Sequence, residues 1–154
     1  MEFNKVVVNT NYPMPAGTPS PRIFSDEQKL LLTYSTNDDR NVVIIFPSVS
    51  IYKFGAPNDE TLPGHPLYSK GLGYNNVFEI LNSSWIDETE KINSVHPRHD
   101  KEWFLKDKKH LVFSFHDSIF ECIIRENESV LSIVLLDQSE GELLNILKQN
   151  NLFI

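Results

Sequence analysis

Short apolar runs bounded by polar turn formers recur along this chain, and their periods predict strands more often than helices. Val6-Val7-Val8, within Met1–Asn9, reads as a first strand. Residues 11–21 then carry four prolines in eleven positions; proline fixes φ and removes a donor, so the segment reads as an extended arm. Lys29–Ser35 and Asn41–Phe46 flank the polar stretch Thr36-Asn37-Asp38-Asp39-Arg40, which is a hairpin pattern. Ser25-Asp26-Glu27-Gln28 also fits a capping box, leaving a short helix at Leu30-Leu31-Leu32 as the alternative. The β-prone run Val42–Phe46 favours strand pairing. Pro47 cannot donate to a ladder and implies an edge or bulge before a further strand at Val49–Phe54. Alternation there places Val49, Ile51 and Lys53 on one face, Tyr52 and Phe54 on the other.

Gly55–Gly73 is a long polar loop, and loops of that length are usually functional or mobile. Val77–Leu81 follows as a strand. Ser83 or Ser84 then caps a helix over 84–93, with Asp87, Glu88 and Glu90 early in it and Trp85, Ile86 and Ile92 on a buried stripe. His110–Phe115 and Ile119–Arg125 form a hairpin pattern around His116-Asp117-Ser118. In it Leu111, Phe113 and Phe115 face opposite to Val112, Ser114 and His116, and Phe120, Cys122 and Ile124 face opposite to Ile119, Glu121 and Ile123. Val130–Leu136 reads as a strand. Ser139-Glu140-Gly141-Glu142 is a second capping box, opening a helix over 140–149 with Leu143, Leu144 and Leu147 toward the core. The sum is a β-rich α+β single domain over 1–154: antiparallel sheets, as a sandwich or partial barrel, with two helices.

Composition narrows the function classes. The chain has 154 residues, 40% apolar and 23% charged, with a net charge of −7. A chain of that length buries enough surface to fold without disulfide or structural metal. The acidic balance argues against nucleic-acid binding, since phosphate contacts need clustered Lys and Arg; Lys106-Asp107-Lys108-Lys109 reads as a solvated turn. No apolar run has the length of a membrane helix and no signal-peptide core opens the chain, so the expectation is a cytoplasmic protein without membrane contact. The single cysteine, Cys122, alternates with Phe120 and Ile124 and reads as a small buried hydrophobe.

Histidine carries the candidate chemistry, being both the side chain that titrates nearest neutral pH and the commonest metal ligand. His65, His96, His99 and His116 sit in polar company. His96 and His99, three apart and separated by Pro97 and Arg98, would share a face if helical, and His65, His116 or Asp117 would complete a zinc-like divalent site. No HExxH or CxxC accompanies them, and the competing reading is that they bond loop carbonyls or solvent. His116, Asp117 and His65 are likewise the candidates for acid–base catalysis without metal. His116-x-Ser118 resembles one half of the paired His-x-Ser/Thr signature of two-histidine phosphoesterases, but the second half is missing from the chain. Asn58, Asp59 and Glu60 offer oxygen ligands to a hard cation, or simply form a turn.

The series Phe54–Glu60, Gly64-His65-Pro66-Leu67-Tyr68, Gly71-Leu72, Asn82–Ile86, His96–His99 and Phe115–Ser118 with Phe120-Glu121 resembles a family of small uncharacterised bacterial proteins. The resemblance covers roughly residues 40–122 and implies no mechanism. The preferred expectation is a non-enzymatic binding or accessory protein of the immunity type, engaging a protein partner or small ligand. The loop 55–73 and the His-bearing turns would form its surface, with Asn58, Asp59, Glu60, His65, Tyr68, Trp85 and Arg98 as binding residues. The alternative is a metal-dependent or histidine acid–base hydrolase. No other cofactor is expected, and the oligomeric state is open.

Overall fold

The computed structural model describes residues 3–17, 20–125, 132–136 and 140–152. Its strands are β1 (Lys5–Val8), β2 (Arg22–Ser25), β3 (Leu30–Ser35), β4 (Asn41–Phe46), β5 (Val49–Gly55), β6 (Val77–Leu81), β7 (Lys108–Ser114), β8 (Ile119–Arg125) and β9 (Ser132–Leu136). Its helices are α1 (Ser84–Asn93), α2 (Lys101–Leu105) and α3 (Glu140–Gln149). All pairing is antiparallel, in a four-stranded sheet ordered β2-β3-β4-β9 and a five-stranded sheet ordered β1-β6-β7-β8-β5.

The α+β expectation holds. Leu30, Leu32, Tyr34, Val42, Ile44 and Phe46 from one sheet meet Leu111, Phe113, Phe115, Phe120, Cys122 and Ile124 from the other. That is the sandwich core, and its residues follow the period of two. The intervening positions are apolar as well because each sheet has a cover on its outer face. Leu31 and Val43 turn outward onto Leu143 and Leu147 of α3. This double burial explains why the central strands read as continuous apolar runs. Leu144, by contrast, lies on the exposed side of α3. The capping serine expected at 139 lies outside the described residues.

Pro47 marks a change of sheet, since β4 ends in one sheet and β5 begins in the other. The bulge falls between Val49 and Ile51 of β5, and it alters the expected facing. Val49 pairs with Ile124 and packs on the core side, whereas Ile51 pairs with Ile123 and Lys53 with Glu121 on the outer side. One extra residue reverses every side chain beyond it.

The proline-rich arm is anchored to the sandwich. Tyr12 is buried edge-on against Phe113, with centroids 5.4 Å apart, and Tyr34 Oη donates to the Pro13 carbonyl at 2.7 Å. Two elements had no forecast: β2, and α2, whose N-cap Asp100 accepts from the Trp103 amide at 3.1 Å. The stripe expected on α1 is only partly buried. Trp85 packs inward, while Ile92 stands in solvent.

Phe113 meets Tyr12, Tyr34, Phe46 and Phe120 ring to ring at the centre of the sandwich. Phe113→Ala is expected to lower the unfolding free energy by about 3–5 kcal/mol, read as a reduced denaturant midpoint with an unchanged slope.

Candidate functional site

The outer face of the five-stranded sheet holds the polar chemistry. Phe78, Ile80, Val112 and Ile119 point outward from β6, β7 and β8, and Leu62, Leu67 and Leu72 of the long loop cover them. The loop is therefore a packed lid, folded into two short 3₁₀ turns at Leu62–Gly64 and Tyr68–Lys70. Beside this apolar cover, His110 and Glu121 stand on the same outer face. Val112 pairs with Glu121 and Ile123 with His110, so the two polar side chains are diagonal neighbours across β7 and β8.

These side chains close into a buried chain of hydrogen bonds. His110 Nε2 lies 2.9 Å from one Glu121 carboxylate oxygen, and His65 Nε2 lies 3.1 Å from the other. The Leu67 amide donates to His65 Nδ1 at 3.0 Å, so that nitrogen is an acceptor and the ring proton sits on Nε2. Ser83, the N-cap of α1, accepts from the Ile86 amide at 3.2 Å, and its hydroxyl lies 2.7 Å from His110 Nδ1. An ionised carboxylate only accepts, so the His110 ring carries a proton on Nε2. One carboxylate thus receives two imidazole N–H groups, one from the lid and one from the sheet, and the second imidazole carries the connection on to α1.

Burial pushes the Glu121 carboxyl upward; the hydrogen bonds from His110 and His65 outweigh it and hold the group at about 2. The Trp85 ring stands edge-on to His110 with centroids 5.0 Å apart, and Lys53 Nζ lies 4.2 Å over that ring. With Glu88 and Asn4 these residues border a cleft of about 300 Å³ whose floor is His65, His110 and Glu121.

Ser83, His110 and Glu121 have the connectivity of a hydrolytic triad, set in the interior. Ser83 is buried and its oxygen already accepts the cap bond, and every ring nitrogen of both histidines is committed. A hydroxyl shut in this way does not reach a substrate. Cys122 offers no nucleophile either, because burial, with the nearby Glu121, pushes its thiol up.

The other forecast site residues lie apart. His116 Nδ1 is 2.7 Å from Asp59, and the Asp59 amide returns a bond to the His116 carbonyl at 2.8 Å, which ties the start of the lid to the β7–β8 turn. Asn58 accepts from the Thr61 amide and hydroxyl, forming a turn in place of a cation site. Glu60 and Asp117 are exposed. His99 Nε2 is bound to Glu90 at 2.9 Å and its Nδ1 to the Asn93 amide, while exposed His96 accepts from the Arg98 amide. The segment containing His96 and His99 is a succession of turns, so the helical spacing that would align them is absent. The proposed metal set of His65, His96, His99 and His116 is thereby corrected: its members occupy separate places. Among the described residues no three His, Cys, Asp or Glu side chains are placed to hold a metal ion. Of the forecast binding residues, His65 and Trp85 meet in the cleft, Tyr68 is partly exposed against Tyr74, and Arg98 is exposed near His96.

Glu121 is ionised in the fold below its ordinary value of 4.5. Its contribution is therefore complete above pH 4.5 and is lost as the pH falls toward 2. The size is on the order of 3 kcal/mol. Glu121→Gln is expected to remove about that much at neutral pH and to flatten the stability profile across that window, as read by urea unfolding at a series of pH values. Comparison of the chain with protein-family models, with curated proteins and with solved structures found no match.

Proposed function

We propose that the protein is a non-enzymatic binding module, of the accessory or immunity type, that engages a protein partner. The observation behind this reading is an apolar groove of about 510 Å³ at the C-terminal end of α1, bordered by Ile51, Ile92, Val95, His96, Phe104 and Lys108. Ile92 is 74% exposed and Val95 88%, with Trp103 of α2 at 58% nearby. Such exposure is costly in water, and clustered apolar side chains beside aromatic ones are the usual composition of a recognition patch.

The groove has rigid supports. Buried Glu90 binds His99, and Lys108 Nζ lies 3.7 Å over the Phe104 ring and bonds Ser50 at 3.3 Å. Arg125 donates to the Trp103 and Phe104 carbonyls at 2.9 and 3.0 Å, which fixes the end of α2. A preformed patch loses little freedom on binding. The net charge of −7 favours encounter with a basic partner. The surface sits on α1 and α2, while the lid and its histidines serve as its foundation.

Selection of displayed peptides on the immobilised protein tests this. Enriched clones are expected to lose about tenfold or more in affinity on Ile92→Asp or Val95→Asp, consistent with a hot spot, and to be unaffected by Tyr68→Ala. Both aspartate variants should keep wild-type melting behaviour within about 0.5 kcal/mol. Clones that depend on Tyr68 would return the recognition surface to the lid. Turnover of ester or phosphodiester substrates that disappears in Glu121→Gln would overturn the non-enzymatic reading.

A further inference from the structure

Strand β5 is the last in the order β1-β6-β7-β8-β5, paired with β8 on one side only among the described residues. It is exposed along almost its whole length. A strand edge of this kind presents a row of unpaired amides and carbonyls, which another strand satisfies better than any other occupant. The opposite edge of the same sheet, β1, is only four residues long.

The devices that usually block such an edge are displaced here. Pro47 precedes the strand, and the bulge lies at its beginning, between Val49 and Ile51. Lys53, the single charge in β5, has its ammonium drawn over the Trp85 ring at 4.2 Å, onto the outer face of the sheet. On the core side, the Tyr52 ring lies tilted against Phe120 with centroids 5.9 Å apart, yet Tyr52 is 41% and Phe54 45% exposed, so the aromatic layer of the sandwich ends half-covered.

We propose that β5 pairs antiparallel with β5 of a second copy, about a two-fold axis at Tyr52, joining the two five-stranded sheets into one. The strand is self-complementary in that register. Ser50 falls opposite Phe54 and Ile51 opposite Lys53, so no like charges meet. Tyr52 falls opposite its own copy with Phe54 alongside, which continues the Phe120 layer across the axis. The isologous geometry closes after two copies, so it yields a dimer with no further growth at that edge. A charge of −7 on each copy opposes association, so salt should strengthen the dimer. The pairing does not rest on the partner-binding reading of the groove.

Sedimentation velocity of the full chain over a concentration series, at low and high salt, provides the test. A salt-strengthened monomer–dimer equilibrium is expected. Ile51→Lys places its new charge opposite Lys53 twice per dimer and should weaken association about tenfold. Ile51→Glu should restore or tighten it. Overall charge runs the other way, since the lysine reduces the net charge and the glutamate increases it, so the pattern reports the register itself. Tyr52→Cys should form a disulfide-linked dimer under mild oxidation, and Tyr68→Cys should not. Circular dichroism establishes that each variant is folded. A monomer at every concentration and salt, equal weakening by both Ile51 variants, or binding only of strands from other proteins would overturn the proposal.

Discussion

A single carboxylate holds the outer architecture of the five-stranded sheet together. Glu121 projects from a strand that is otherwise buried on both faces, into a region closed by the lid and α1. An isolated carboxylate there would cost several kcal/mol, so it persists only because two imidazoles satisfy it. Each imidazole is in turn fixed at its other nitrogen: His65 by the backbone of its own lid, and His110 by the cap of α1. Loss of the carboxylate frees both at once. The N-terminus of α1 is tied into this junction through Ser83.

The histidines therefore matter for how they position structure. His65 and His116 clamp the lid at two points, to Glu121 and to Asp59, and His99 clamps the 94–100 turns to Glu90 of α1. Each clamp ties an irregular segment to a regular element or to a neighbouring turn. A further pair, His110 with Glu121, joins the sheet to the same carboxylate.

Much of the fold was legible in the sequence. The period of two assigns Leu111, Phe113 and Phe115 to one face and Val112 to the other, and a capping serine at 83 or 84 announces α1, with Ser83 in that place. Glu121 was placed correctly opposite Phe120 and Cys122, and a lone acid within an apolar strand was the available signal for the site. The sequence does not point from it to its partners, because His110 borders Lys108 and Lys109 and reads as the end of a strand, and His65 is 56 residues away. Contacts at that separation leave no local pattern. The lid looked open because Leu62, Leu67 and Leu72 have neither helical nor strand spacing, and their burial depends on the sheet beneath. The facing of β5 was misread at its first residue because a bulge has no fixed residue signature when glycine is absent. Ile92 looked buried because its helical spacing carries no information about where the neighbouring element stops.

Nitrogen-15 correlation spectroscopy of the histidine rings at neutral pH tests the central claim most directly. The account predicts that His65 and His110 both carry a proton on Nε2 that exchanges slowly with water, held on Glu121. An Nδ1–H tautomer at either ring, or ring protons that exchange as freely as those of exposed His96, would contradict it.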